Sequence, residues 1–362
     1  MKKLKYFSLL ILAILLANAC KDDEMPMTVV ELDDTPYILN YGALTPPSLP
    51  ADNALTVQGV HLGKMLFYEK MLSKDASQAC ADCHQQVDGF SDKRQFSIGV
   101  ENLEGGRQAM PIFNMGWHTN EFFWDGRASS LREQALKPIQ DPLEMNETLD
   151  NVIAKLSTTQ MYRDQFTRAF GTEEVTEDRI ALALEQFMLS IVSHQSKYDK
   201  WLAGEADLTE SEERGRLLFE TEYNPFFPEF SGADCAHCHG GDNFENDQYM
   251  NNGLDTDASI TDIGREEVTN LPEDKAKFKV PTLRNIELTA PYMHDGRFAT
   301  LEEVIDHYNE GTQTSSTVDP TIANTKDTGL FLDAQDKIDL INFLKTLTDP
   351  TLATNNDYKS PF

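Results

Sequence analysis

Two pentapeptides constrain this chain more than any other feature: Cys80-Ala81-Asp82-Cys83-His84 and Cys235-Ala236-His237-Cys238-His239. Two thiols three residues apart, followed at once by a histidine, form the attachment site of a c-type haem. The thiols add across the two vinyl groups of the porphyrin, and the imidazole beside them reaches the iron from one face. A zinc ribbon would bring its two cysteine pairs to within about 15–20 residues of each other, and these pairs lie much further apart in the chain. A thioredoxin-type redox pair needs no histidine after its second cysteine. Four of the five cysteines are used by the two motifs. The expected cofactors are therefore two covalently bound haem c groups, with His84 and His239 as iron ligands.

The fifth cysteine, Cys20, closes an N-terminal targeting segment. Lys2, Lys3 and Lys5 form a basic start, and Leu9–Ala17 is an apolar run too short to span a bilayer as a folded anchor. Leu16-Ala17-Asn18-Ala19-Cys20 resembles a bacterial lipoprotein signal, whose cysteine is acylated, although that pattern prefers a larger aliphatic residue at Ala17. An ordinary secretory signal is the other reading. Lys21-Asp22-Asp23-Glu24 resembles the acidic tag of some Gram-negative surface lipoproteins. The mature chain is expected in the cell envelope of a Gram-negative bacterium, periplasmic or surface-exposed, touching the membrane only through a lipid on Cys20. The formal net charge of −29 argues against a nucleic-acid partner and suits a soluble surface able to meet basic partners.

Length allows two domains after the signal. The reading places a signal peptide at 1–20, a tether and extended arm at 21–50, cytochrome c-like domains at 51–204 and 205–350, and a tail at 351–362. The class is mainly α, each haem replacing much of the apolar core that a small domain needs. Apolar spacing predicts helices over Val57–Glu69, Leu149–Phe170, Ile180–Trp201 and Ala334–Leu347. Thr176 can cap the third of these. Thr209-x-x-Glu212 and Thr300-x-x-Glu303 are capping-box patterns that start two more, the first running through Phe219 and the second over Leu301–Asn309. The chain also echoes itself. Gly63-x-x-Leu66-Phe67 precedes the first haem motif and Gly215-x-x-Leu218-Phe219 the second. Phe123-Trp124-Asp125-Gly126-Arg127 follows the first and Met293-His294-Asp295-Gly296-Arg297 the second. Two copies of one haem-binding unit explain this.

From Val57 to Thr348 the chain resembles the bacterial dihaem cytochrome c peroxidases, a group that includes the MauG-type enzymes. The resemblance rests on LGKMLF, CADCH, QFSIG, FFWDGRASSLREQALKPIQDPLEM, CAHCH and FKVPTLRNIELTAPYMHDGRFATLEEV. It implies that the N-terminal haem is the peroxide site and that the C-terminal haem receives electrons. Trp124 matches the tryptophan between the haems. Glu144 matches the distal acid of the peroxide pocket, with Gln134 and Pro138 before it as in the family. A carboxylate over the iron can take a proton from the inner oxygen of peroxide and give it to the outer one. A calcium ion between the domains is also implied, its ligands matching Gln108 and the carbonyls of Thr289 and Pro291. Calcium prefers oxygen ligands, and here the family's asparagine is the longer Gln108.

Two positions depart from the peroxidases. Many members carry a distal histidine after the SIG element, where this chain has Val100. The high-potential haem of the peroxidases has a distal methionine, and counting along LEEVIDHY puts Tyr308 there, as in MauG-type enzymes. His307 and Met293 are rival ligands.

Three functions follow. The first is a peroxidase reducing hydrogen peroxide to water with electrons from a small c-type cytochrome or similar redox protein. The second is a MauG-like oxidase that modifies a protein substrate through high-valent iron, favoured by Val100 and Tyr308. The third is a non-enzymatic electron-transfer cytochrome, which would gain nothing from Glu144 and Gln134. A homodimer is compatible with all three.

Overall fold

The architecture is set by capped, amphipathic helices joined by long loops that wrap two cavities. The structure, a computed structural model, describes residues 29–362; the expected signal, Cys20 and the start of the tether lie outside them. Residues 29–31 carry no regular structure, and Leu32–Phe362 form one unit. Among the described residues no helix is long and apolar enough to cross a membrane.

Helix α1 is Val57–Phe67, capped by the Thr56 hydroxyl, which accepts from the N–H of Gly59. Helix α2 is Leu131–Gln140, α3 Leu149–Ser157, α4 Gln160–Phe170 and α5 Glu177–Ser190, the last capped by Thr176 as expected. Helix α6 is Lys197–Leu202 and α7 Glu210–Glu220, the latter started by the Thr209/Glu212 capping box. Helix α8 is Leu301–Asp306, started by the Thr300/Glu303 box, and α9 is Ala334–Thr346. The sheet content is one two-residue antiparallel pair, Tyr249–Met250 with Phe278–Lys279.

Two expected helices are each broken in two. Leu149–Phe170 splits at Thr158 and Thr159, where Thr159 turns extended to begin α4. Ile180–Trp201 stops at Ser190 because Ile191 is extended and its carbonyl accepts from the N–H of Asn114. Tertiary contacts therefore override a helical pattern. The helix expected over Leu301–Asn309 keeps α-geometry only to Asp306, and His307–Gly311 widens into a π-turn.

The sequence echo is a structural repeat. In the first half α1 crosses α5 so closely that a Cβ on Gly63 would lie 1.9 Å from the carbonyl oxygen of Ala183. In the second half α7 crosses α9, and a Cβ on Gly215 would lie 1.9 Å from that of Asp339. Next to these crossings Phe67 meets Phe187 with ring centroids 5.2 Å apart, and Phe219 meets Phe343 at 5.2 Å. A glycine at the contact lets two backbones approach this far, and aromatic pairs fill the space beside it.

Two large cores result, with a small third cluster around Trp124 and Phe278. One contains Leu62, Leu66, Phe67, Phe90, Phe166 and Phe187; the other Phe219, Ile305, Phe343 and Leu347. The segment expected as a tail does not trail away: Leu352 and Tyr358 belong to the first core, and the Tyr358 hydroxyl accepts from the N–H of Val192 at 3.1 Å. The halves are also tied by charge. Arg284, with a side chain only 2% exposed, donates two parallel hydrogen bonds of 2.9 Å to Asp199 on α6.

Candidate active site

Each haem motif sits on a single helical turn, Cys80–Cys83 and Cys235–His237. In both, the histidine that follows is held by the same device. Nδ1 of His84 lies 3.0 Å from the carbonyl of Phe90, and Nδ1 of His239 lies 3.2 Å from that of Phe244. A carbonyl can only accept, so each Nδ1 carries its proton and each Nε2 keeps a free lone pair for a metal. Burial lowers the pKa of both rings, that of His239 to about 4, which keeps them in the neutral, ligating form.

His84 and Cys83 line a cavity of about 890 Å³ and also a smaller neighbouring space that reaches Cys80. Cys235, Cys238 and His239 line a second, more apolar cavity of about 230 Å³. Two thiols and an oriented imidazole at the wall of each cavity fit a covalent haem in each.

Glu144, Gln134 and Pro138 all face the first cavity. Pro138 lies inside α2 and has no N–H to bond the carbonyl of Gln134. After α2 the chain turns tightly, the carbonyl of Asp141 accepting from the N–H groups of both Glu144 and Asn146 at 3.0 Å. Glu144 is then pinned by its own carbonyl, which accepts from the N–H of Val100 at 2.8 Å. Gly99 permits this approach, since a Cβ there would lie 2.1 Å from the carbonyl oxygen of Leu143. Burial, reinforced by the charge of Asp141 and opposed by Arg127, pushes the Glu144 carboxyl up to about 7. A carboxyl titrating near neutrality can both take and give a proton. Val100 lines neither part of this cavity.

Trp124 lines both cavities. The turn that carries it has Phe123 and Gly126 at positive φ, and a Cβ on Gly126 would lie 2.3 Å from the Tyr249 hydroxyl. Its repeat partner His294 sits on the equivalent turn. Phe278 belongs to one small apolar cluster with Trp124 and stacks on the His294 ring, centroids 3.6 Å apart. All three rings line the second cavity, and of them Trp124 alone also lines the first.

At the second cavity Tyr308 and Met293 both face inward. The side-chain amide of Asn252 lies 3.2 Å from the Met293 sulfur and 3.4 Å from the Tyr308 hydroxyl. Burial pushes the Tyr308 phenol up to about 12. His307 does not line the cavity: its Nε2 lies 3.0 Å from the backbone carbonyl of Asn252. Consecutive side chains of a helix point about 100° apart, so only one of the two faces the cavity.

The amide nitrogen of Gln108 donates to the Ser91 hydroxyl and the Asp92 carbonyl. Among the described residues nothing donates to its Oε1, nor to the backbone oxygens of Thr289 and Pro291. All three are oxygens, the ligand type that calcium prefers.

One charged group was not foreseen. Nδ1 of His118 lies 3.0 Å from Asp247 Oδ1 and 3.3 Å from Glu245, and Nζ of Lys279 lies 3.2 Å from the same Asp247 oxygen. His118 and Lys279 line the first cavity, and the backbone N–H of Lys279 donates to the carbonyl of Trp124. These residues come from three distant stretches, so no local pattern announces them; Lys279 alone fell within a family string.

The family described as di-haem cytochrome c peroxidase matches residues 57–207. The methylamine utilization protein MauG of Methylophilus methylotrophus is 34% identical over 312 residues, covering 83% of this chain and 86% of that one. Cytochrome c551 peroxidase of Nitrosomonas europaea is 39% identical over 248 residues, covering 68% and 71%. Among solved structures, a MauG-like protein associated with microbial copper homeostasis superposes with a TM-score of 0.81 at 34% identity, covering 90% of this chain and 99% of that one.

Proposed function

Because this chain belongs to the di-haem cytochrome c peroxidase family that includes MauG, and so carries two covalent haem c groups, we propose that it reduces hydrogen peroxide to water at the His84 haem. The bound haems supply the redox-active iron. The observation that carries the reading is Glu144, a cavity-facing carboxyl tuned to about 7 in the pocket of His84. Glu144 takes a proton from hydrogen peroxide and returns it to the departing oxygen, with Gln134 beside it to orient the peroxide. Val100 leaves the peroxide side without a competing ligand from that position. Electrons enter singly at the His239 haem from a small redox protein, and Trp124, an aromatic ring in both cavity walls, relays them. Two electrons and two protons convert each peroxide to two waters. Steady-state peroxide consumption with a reduced c-type cytochrome, in wild type and Glu144→Gln, tests this: the variant should lose most of its turnover and keep both haems.

A second reading is a MauG-like oxidation of a protein side chain. It is favoured by Tyr308, which faces the second cavity while His307 turns away. Peroxide-dependent mass gain or cross-linking in a co-purifying protein, without cytochrome oxidation, would select it. The first core would belong to a cytochrome c domain at 51–204 completed by Leu352 and Tyr358, and the second to one at 205–350. Calcium held by Gln108, Thr289 and Pro291 would brace the loop that carries Trp124, whose indole bonds the Gln108 backbone. Export, with a lipid on Cys20, completes the proposal.

A further inference from the structure

Immediately before the second haem motif the chain forms a loop, Tyr223–Ser231, that presents three phenylalanines to solvent. Phe226 is 85% exposed, Phe227 57% and Phe230 71%. None of these rings packs against another aromatic ring among the described residues. The loop is built, not slack. The Asn224 side-chain oxygen accepts from the N–H groups of both Phe226 and Phe227 at 3.1 Å, and the Ser231 hydroxyl accepts from the N–H of Asn224 at 3.0 Å. The N–H of Gly232 closes it onto the carbonyl of Glu222 at 3.0 Å. Pro225 and Pro228 stiffen it further. Fixing three large apolar rings in water gains nothing for folding, and such patches mark interaction sites.

Its place and charge say what it meets. Tyr223 at its start and Asp234 just beyond its end line the second cavity, so the patch borders the His239 haem. Glu222 and Glu229 lie within or beside it, and from Leu217 to Gly264 there is no lysine or arginine. A second copy of this chain would bring the same acids face to face, and an anionic membrane surface would be repelled by them. A basic protein with an apolar contact patch is complementary on both counts. Transient redox pairs use small interfaces of this kind, and opposite charge speeds their encounter.

We infer that the loop Tyr223–Ser231 is the docking surface for a small, basic redox protein that delivers electrons to the second haem. This rests on the reading of that haem as the port of electron entry. In each encounter the reduced partner gives up one electron, and two encounters supply the pair consumed by one peroxide.

The test uses the full-length, haem-loaded protein with reduced mitochondrial cytochrome c, which is basic, as the probe, and a small dye reductant as the control. A Phe226→Ser, Phe227→Ser, Phe230→Ser variant should lose about tenfold or more in kcat/KM for the cytochrome, since buried aromatic anchors dominate such contacts. Its turnover with the dye and its haem spectra should not change. A Glu222→Lys, Glu229→Lys variant should also lose kcat/KM, and the wild type's decline with added salt should flatten in it. Unaltered cytochrome kinetics in the triple variant would overturn the inference. So would unaltered kinetics accompanied by loss of a dimer in sedimentation, or by loss of binding to phosphatidylcholine vesicles, which would give the loop to a second copy or to lipid. If the wild type turns over peroxide with the dye but never with the cytochrome, the port of entry itself is wrong, and the inference falls with it.

Discussion

The indole of Trp124 donates from Nε1 to the backbone carbonyl of Gln108 at 2.8 Å. That bond fixes the one aromatic ring among the described residues that stands in the walls of both cavities. Gln108 is itself held from the other half of the molecule, its N–H donating to the carbonyl of His294 at 2.8 Å. The ring between the two centres is therefore positioned by a strap that both halves hold.

Trp124→Phe keeps an aromatic ring but leaves a buried carbonyl unpaired, which should cost about 1–3 kcal/mol of stability. Haem content and both haem spectra should persist. Peroxide-driven oxidation of a protein donor should slow, and stopped-flow traces should show the second haem responding later than in wild type. Equal rates of response in the two proteins would take Trp124 off the electron route.

Glu144→Gln should slow peroxide turnover by about 10²–10⁴-fold, the usual worth of a placed acid–base group. In wild type, turnover at low peroxide should rise with pH through about 7 as the carboxyl ionises. The variant should lack that step. Stability moves the other way. A carboxyl whose folded pKa is raised favours the folded state below its ordinary value and loses that contribution as pH rises through about 7. Denaturant midpoints should therefore fall over this interval in wild type and not in the variant.

Gly63→Ala tests the helix crossing. In an isolated helix the change would stabilise by about 1 kcal/mol. Here the new Cβ would lie 1.9 Å from the carbonyl oxygen of Ala183, and overpacking of this kind costs about 1–3 kcal/mol or more. The net effect should be a lower Tm for the haem-loaded protein, and Gly215→Ala should do the same in the second half.

Tyr308→Phe should change the low-temperature EPR signal and the reduction potential of the second haem, because the phenol faces that cavity. His307→Gln should leave both unchanged, since its ring is spent on the Asn252 carbonyl. The opposite pattern would make His307 the ligand.

Much of this was legible in the sequence because it is local. CxxCH, the Thr209 and Thr300 capping boxes and the repeated Gly-x-x-Leu-Phe are short patterns whose physics acts within a turn or two of helix. What could not be read depends on contacts between distant stretches. The apolar run from Ile180 continues past Ser190, yet the helix stops there because Asn114 and Asp349 bond the backbone of residues 191–195. His118 meets Asp247 only after both halves have folded. That His307 and not Tyr308 turns away from the cavity depends on the Asn252 carbonyl, 55 residues earlier in the chain, which residue spacing does not show.

The side-chain amide of Gln86, two residues beyond His84, donates to the carbonyls of Leu352 and Asn355, 266 and 269 residues further along the chain. The loop that embraces the first haem is thus latched by a segment that follows the second haem motif in sequence. A chain entering the envelope N-terminus first has both cysteine pairs exposed before this latch can close. The first attachment site consequently cannot be latched until the chain beyond Leu352 has followed the second motif across, so a protein truncated before Leu352 should leave the first haem open to reductants and proteases.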